Sequence, residues 1–265
     1  VKAIVCFSGG HSSALVAIET VKKYGKENVI LLNHDISSRV EHESIKKFKD
    51  DISNYLDIQI TYANMENFEN MPPLEVCKAK SGFSVGTQQT FCTYELKTKP
   101  FYNYLEQIPK SKDVHIAYGF DAVETNRINR RADAISAMGY SPEFPLADWK
   151  RTIEKVEDIG IKRPSTYRTY KHANCIGCLK AGRQHWYAVH CLRPDIFEEG
   201  KRAEEELGHS IIKGIYLGEL EPIYREMRDK KQIVPTDKTN SATFWKEVNS
   251  VLPEQETLFP CDCSF

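Results

Sequence analysis

Ile4-Val5-Cys6-Phe7-Ser8-Gly9-Gly10-His11-Ser12-Ser13 joins a strand, a glycine turn and a helix start in one line. The apolar run Ile4–Phe7 reads as a buried strand, and Ala14-Leu15-Val16-Ala17-Ile18 continues as a helix. Such a turn aims several backbone N–H groups and the positive end of a helix at one point, which suits a phosphate. An ordinary βα turn needs a single serine as its cap. Here Ser8, Ser12 and Ser13 all offer hydroxyls, so residues Ser8, Gly9, Gly10, His11, Ser12 and Ser13 are candidate phosphate binders. The stretch is neither G-x-x-x-x-G-K-[ST], since no lysine follows, nor G-x-G-x-x-G.

Working outward, Val1–Phe7 is predicted as the first strand and His11–Tyr24 as the first helix, stopped by Gly25. Asn28–Asn33 predicts a second strand, Glu43–Leu56 an amphipathic helix and Ile58–Tyr62 a third strand. This β-α-β-α-β order predicts an α/β fold: a doubly wound, mostly parallel, Rossmann-like sheet with a helical C-terminal extension. Thr93–Leu105 reads as helical, with Pro100 starting a new helix after a break. Val114–Tyr118 predicts a fourth strand, Thr125–Ala137 a helix, Phe144–Leu146 a fifth strand and 148–159 a helix. Thr166–Gly182 reads as a loop or knuckle, and two helices follow, Gln184–Cys191 and Pro194–Leu207. The rest reads as a helical lid with a tail. The expected division is a nucleotide-binding domain over 1–165 and a knuckle with helices over 166–265.

Lysine and arginine total 36 against 37 acidic residues, a net charge of −1, so no global basic field points to nucleic acid. No apolar run approaches the ~20 residues of a membrane span. The first strand begins at once, leaving no room for a signal peptide, and the expected location is cytoplasmic. In that setting the eight cysteines read as ligands, redox groups or core rather than structural disulfides.

Cys175-Ile176-Gly177-Cys178 is the sharpest second signal. Two thiolates at this spacing can hold one metal, or act as a dithiol redox pair. Cys92, Cys191, Cys261 and Cys263 are candidates to complete a site, while Cys6 and Cys77 read as core. His172 and His185 flank the pair, with Lys171, Lys180 and Arg183 as a local basic cluster.

Two further constellations end predicted strands. Gly119-Phe120-Asp121 leads to Glu124 and Arg127, on the same sheet edge as the glycine turn. Asp121 or Glu124 can hold Mg²⁺ or a ribose, and Arg127, Arg130 and Arg131 can clamp phosphate or sulfate. Asn33, His34 and Asp35 end the second strand, where a doubly wound sheet borders a nucleoside.

The motif Ser8-Gly9-Gly10-His11-Ser12-Ser13 resembles the PP-loop, SGGxDS, of the adenine nucleotide α-hydrolase-like superfamily. Three further blocks resemble its phosphoadenosine phosphosulfate (PAPS) reductase-like branch. They are Cys92-Thr93-x-x-Leu96-Lys97, Gly119-Phe120-Asp121-x-x-Glu124-x-x-Arg127, and Asn174-Cys175-Ile176-Gly177-Cys178. The resemblance spans about residues 2–195. It implies ATP or PAPS as the nucleotide, with Mg²⁺. It also implies a [4Fe–4S] cluster, or alternatively zinc, on Cys92, Cys175 and Cys178. Ser12 departs from the pattern, standing where the motif has Asp, and the Glu-Cys-Gly-Leu-His string of assimilatory reductases is absent.

Three functions follow from the resemblance. The first is a sulfur-transfer enzyme that cleaves ATP between the α and β phosphates, with Ser13, Cys92 and Arg127 as catalytic residues and tRNA or another nucleic acid as acceptor. The second is a thiol-dependent reductase of PAPS or adenylyl sulfate, served by a thioredoxin-like reductant and by Cys261 or Cys263. The third is a non-catalytic nucleotide-binding regulator with structural zinc.

Overall fold

The computed structural model of the chain describes residues 1–85, 89–173 and 175–252. Its strands are β1 (Ala3–Cys6), β2 (Val29–Asn33), β3 (Ile60–Tyr62), β4 (Ser84–Val85), β5 (Gln89–Thr90), β6 (His115–Ala117) and β7 (Ser141–Glu143). The helices are α1 (His11–Tyr24), α2 (Glu43–Leu56), α3 (Pro73–Ala79), the single turn α4 (Phe91–Thr93), α5 (Lys99–Glu106) and α6 (Thr125–Ala137). They continue with α7 (Pro145–Asp148), α8 (Arg183–Leu192), α9 (Pro194–Leu207), α10 (Leu217–Arg225) and α11 (Ser241–Val251). Two compact units result. The first holds Val1–Pro72 and Thr93–Ser165; the second holds Pro73–Cys92 and the chain from Thr166 onward.

The first unit is built on a five-stranded sheet of order β3-β2-β1-β6-β7, every pair parallel. With the helical C-terminal region, this is the expected α/β fold, and the strand order is consistent with a Rossmann-like class. Strand β1 lies in the middle because its apolar run serves both faces. Ala3, Val5 and Phe7 pack with residues of α1 and α2, while Ile4 packs with residues of α5 and α6. Helix α2 buries the stripe Ile45, Phe48, Ile52 and Leu56, and a lysine, Lys49, lies on the same stripe. The strand order reverses at β1 and β6, and the crevice beyond the carboxyl ends of two such strands is where sheets of this kind bind ligands.

Two sequence expectations fail here for physical reasons. The fifth strand is Ser141–Glu143, not Phe144–Leu146. Its central Pro142 is tolerated because β7 is an edge strand, where the missing N–H breaks no ladder. Phe144 enters the core instead, against Tyr118 and Phe120. The helix expected over 148–159 is reduced to α7 and a 3₁₀ turn, Val156–Ile159. Buried Glu19 of α1 takes the N–H groups of Thr152 and Ile153, and Asp158 takes those of Glu154 and Lys155. Those amides have side-chain acceptors in place of helical carbonyls. Pro100 behaves as expected: a π turn, Tyr94–Thr98, ends there and α5 starts with proline in its first turn.

The second unit is helical around an aromatic core. Trp186, Tyr187 and His190 of α8 meet Phe197 of α9, Tyr224 of α10 and Phe244 of α11. Glu204 of α9, 1% exposed, accepts from Ile211 N at 2.7 Å and Leu217 N at 2.6 Å and so fixes the start of α10. The segment expected to be a lid is therefore core-forming. No helix among the described residues is long and apolar enough to cross a membrane.

Candidate functional site

The Ser8–Ser13 turn joins the carboxyl end of β1 to α1. Gly10 is the helix N-cap and supplies no side-chain cap, and the first turn of α1 carries no acidic residue. The positive helix end thus has neither a side-chain cap nor a carboxylate of its own first turn. Gly9 has φ +77°, where other residues are strained. A Cβ there would stand 2.8 Å from Lys49 Cγ and 3.1 Å from Ile45 Cγ2. The Ser8 hydroxyl donates to Ser13 Oγ at 3.2 Å, and Ser13 donates to the Gly10 carbonyl at 2.9 Å. Ser13 is buried whereas Ser8 and Ser12 face solvent. The His11 ring lies beside the turn and accepts from Val156 N at 3.4 Å; burial, then the Arg163 charge, lowers its pKa.

Strand β6 brings the second expected block to the same place. A methyl on Gly119 would stand 3.2 Å from the Ser12 carbonyl carbon and the Ser13 nitrogen. The two turns at the strand-order reversal therefore touch backbone to backbone. Beyond Gly119, Phe120 joins a cluster of three mutually stacked rings, 5.5 Å from Tyr118 and 6.1 Å from Phe144. The Arg127 guanidinium lies 4.2 Å from the Phe120 ring centroid and pairs with Glu124. Glu124 also accepts the Asp121 amide at 3.0 Å. Asp121, Arg127 and Arg130 are exposed, and Arg131 leans on Tyr118 and donates to Tyr102.

The residues ending β2 are more structural than their position suggests. Asn33, 3% exposed, donates its amide to the Phe7 carbonyl and receives Lys49 Nζ at 3.4 Å. His34 Nδ1 meets the Ala63 carbonyl at 2.6 Å, and burial lowers its pKa. Asp35 pairs with Lys46 at 2.7 Å. Behind the turn, Lys49 and Glu41 form a buried ion pair of 2.9 Å. Sequence reasoning passed over this pair. Its one signal was a lysine set four residues after Ile45, on the apolar stripe.

In the second unit, the Cys175–Cys178 knuckle turns on Gly177 at φ +75°. His185 reaches into it: Nε2 accepts from Gly177 N at 3.2 Å and Cys178 N at 3.3 Å. Nδ1 therefore carries the proton and donates to Asp237 Oδ2 at 2.8 Å. Asp237 also takes the Lys171 amide, at 2.5 Å. His185, a candidate ligand by sequence, uses its lone pair to hold the backbone. Asp237 had no signal in the sequence.

Cys92 is half-buried and donates to Thr90 Oγ1 at 3.4 Å, while Cys77 is fully buried. Cys191, half-buried beside Tyr187, has its thiol pKa raised by burial. Among the described residues, no group of three or more His, Cys, Asp or Glu is gathered so as to hold a metal ion. Cys261, Cys263 and Asn174 lie outside the described residues. No protein-family model matches the chain, and no curated protein matches it.

Proposed function

We propose that the chain is a nucleotide-binding enzyme of the PP-loop kind, resembling the PAPS reductase-like branch, whose Ser8–Ser13 turn takes the phosphates of ATP or a sulfonucleotide. The observation that carries this reading is the touching pair of turns at the strand-order reversal. Gly119 lets the two turns come together, Gly9 lets the first turn sit down on Lys49 of α2, and the start of α1 has neither a side-chain cap nor an acidic residue in its first turn. An anionic chain of phosphates fits such a corner by charge and by the N–H groups on offer.

In this proposal the amides after Gly9 and the Ser13 hydroxyl hold the distal phosphates. Cleavage between the α and β phosphates moves negative charge onto the departing pyrophosphate, and donors already in place there stabilise it. Arg127, exposed and braced on Phe120, is the group closest in chemistry to a phosphate or sulfate clamp. No step is assigned to a metal centre. Calorimetric titration with ATP and with PAPS, each with and without Mg²⁺, tests the reading. Binding of either that is lost in Gly9→Ala supports it. No binding of either nucleotide by the folded chain overturns it. Release of pyrophosphate from ATP, or of sulfite from PAPS with a thiol reductant, then separates transfer from reduction.

A further inference from the structure

We infer that Tyr24, Trp149 and Glu143 form a binding corner for a quaternary ammonium group, which Lys23 plugs when no ligand is present. The Lys23 ammonium sits 3.9 Å from the Trp149 ring centroid, 4.9 Å from the Tyr24 centroid and 2.9 Å from Glu143 Oε1. The two rings are 6.5 Å apart and inclined at 61°, so they make two walls of a corner, and the carboxylate makes the third. The walls are held from outside. Tyr24 stacks on His115 at 5.2 Å and donates its hydroxyl to Glu143 Oε1 at 2.6 Å. The Trp149 amide donates to the Pro145 carbonyl at 3.2 Å, at the end of α7. None of these contacts involves Lys23, so the corner outlasts its departure. It lies in the last turn of α1, about 18 Å along the helix from His11, and is separate from the Ser8–Ser13 turn.

A lysine ammonium is a poor match for these walls. It is compact, strongly hydrated and carries three hydrogen-bond donors, yet two of its neighbours here are aromatic faces. An ordinary surface Lys–Glu pair needs no such walls and is worth little by itself. Ring faces attract a cation and pack against its methyl groups, the combination by which quaternary ammonium ligands are recognised. Such a group brings the charge that Glu143 pairs with, has no N–H bonds to leave unmet, and gives up less hydration than lysine. The Lys23 side chain is 43% exposed, so it swings into water without crossing the core. Glu143 is 12% exposed, and its Oε2 is buried without a hydrogen-bond partner among the described residues. With Lys23 out, that carboxylate needs a cation, and the ligand supplies it.

The full chain is titrated with tetramethylammonium chloride, with sodium chloride at equal concentration as the control. The ¹⁵N–¹H signals of the three indoles, Trp149, Trp186 and Trp245, are followed. In Lys23→Ala the Trp149 indole should shift saturably while the other two stay in place. The parent should bind at least tenfold more weakly, because Lys23 competes for the corner. The double variant Lys23→Ala/Trp149→Ala should not bind, as read from the relaxation of the tetramethylammonium protons. Choline and Nε-trimethyllysine, titrated next, give the source of the group: the tighter of the two assigns it to a free solute or to a modified side chain. Four results overturn the inference: no saturable Trp149 shift in Lys23→Ala, the same shift with sodium chloride, equal affinity in parent and Lys23→Ala, or binding retained without Trp149. If Lys23→Ala does not fold, Lys23→Gln takes its place. None of these readouts depends on nucleotide binding.

Discussion

The stem of Lys49 fills the space that a side chain on Gly9 would need, with Lys49 Cγ 2.8 Å from the Cβ position. A buried lysine on α2 thereby fixes the residue type in the turn after β1. Gly9→Ala meets two obstacles at once. The left-handed backbone costs about 1–2 kcal/mol, and forcing Lys49 aside adds about 1–3 kcal/mol of overpacking. Urea unfolding of Gly9→Ala should show a loss in this range. A variant as stable as the parent would mean that the turn is more open in solution.

Removing the partner of Lys49 should hurt more. Lys49 is 1% exposed and its ammonium sits 2.9 Å from Glu41. Glu41→Gln leaves the buried charge without its counter-ion, which costs about 3–5 kcal/mol. The double substitution Glu41→Leu/Lys49→Met removes both charges and should recover most of that loss. Equal destabilisation by the single and double variants would argue against a buried pair.

Ser13→Ala separates chemistry from fold. The hydroxyl makes two local hydrogen bonds, with Ser8 and with the Gly10 carbonyl. Their loss is worth about 1 kcal/mol of stability. If the hydroxyl serves the leaving pyrophosphate, turnover should fall about 100-fold. Pyrophosphate release at the parent rate would remove Ser13 from the mechanism.

The tautomer of His185 can be read directly. Two amides donate to Nε2, so the proton belongs on Nδ1, facing Asp237. Long-range ¹⁵N–¹H spectra should show a protonated Nδ1 in the parent. Asp237→Ala should destabilise the knuckle by about 1–3 kcal/mol, leaving a buried donor without its acceptor. A protonated Nε2 in the parent would overturn this arrangement.

Stability should depend on pH through the buried histidines. Burial lowers the pKa of His11, His34 and His190. Each folded value lies below the unfolded one, about 6.5. Between the two values the unfolded chain binds more protons, so stability is whole above about pH 6.5 and is lost as pH falls toward the folded pKa. Glu204, whose pKa burial raises, acts in the opposite sense, so the comparison is with a single variant. Replacing His34 by Gln should flatten the fall in urea midpoint between about pH 7 and about pH 5. Parallel curves for parent and variant would rule out a part for His34.

Local signals carried much of this far. The glycine turn, α1, α2 and the Pro100 helix start were legible because their causes lie within one or two turns of chain. Strand β7 was not, because its proline is acceptable only at a sheet edge, and edges are a property of the assembled sheet. The 148–159 segment failed likewise: Glu19, 133 residues away from Thr152, supplies the acceptor that a helix would have provided.

By itself, then, the amino-acid order determined the strand, turn and helix around Gly9, the parallel α/β class, and the small and hydroxyl residues gathered in the turn. Periodicity and backbone conformation are local, and they are written in neighbouring residues. Only the tertiary structure decided which distant groups share a corner: Gly119 against Ser12, Lys49 beneath Gly9, and Asp237 behind His185. Those contacts arise from packing between elements far apart in the chain, where no spacing rule connects one residue to the other.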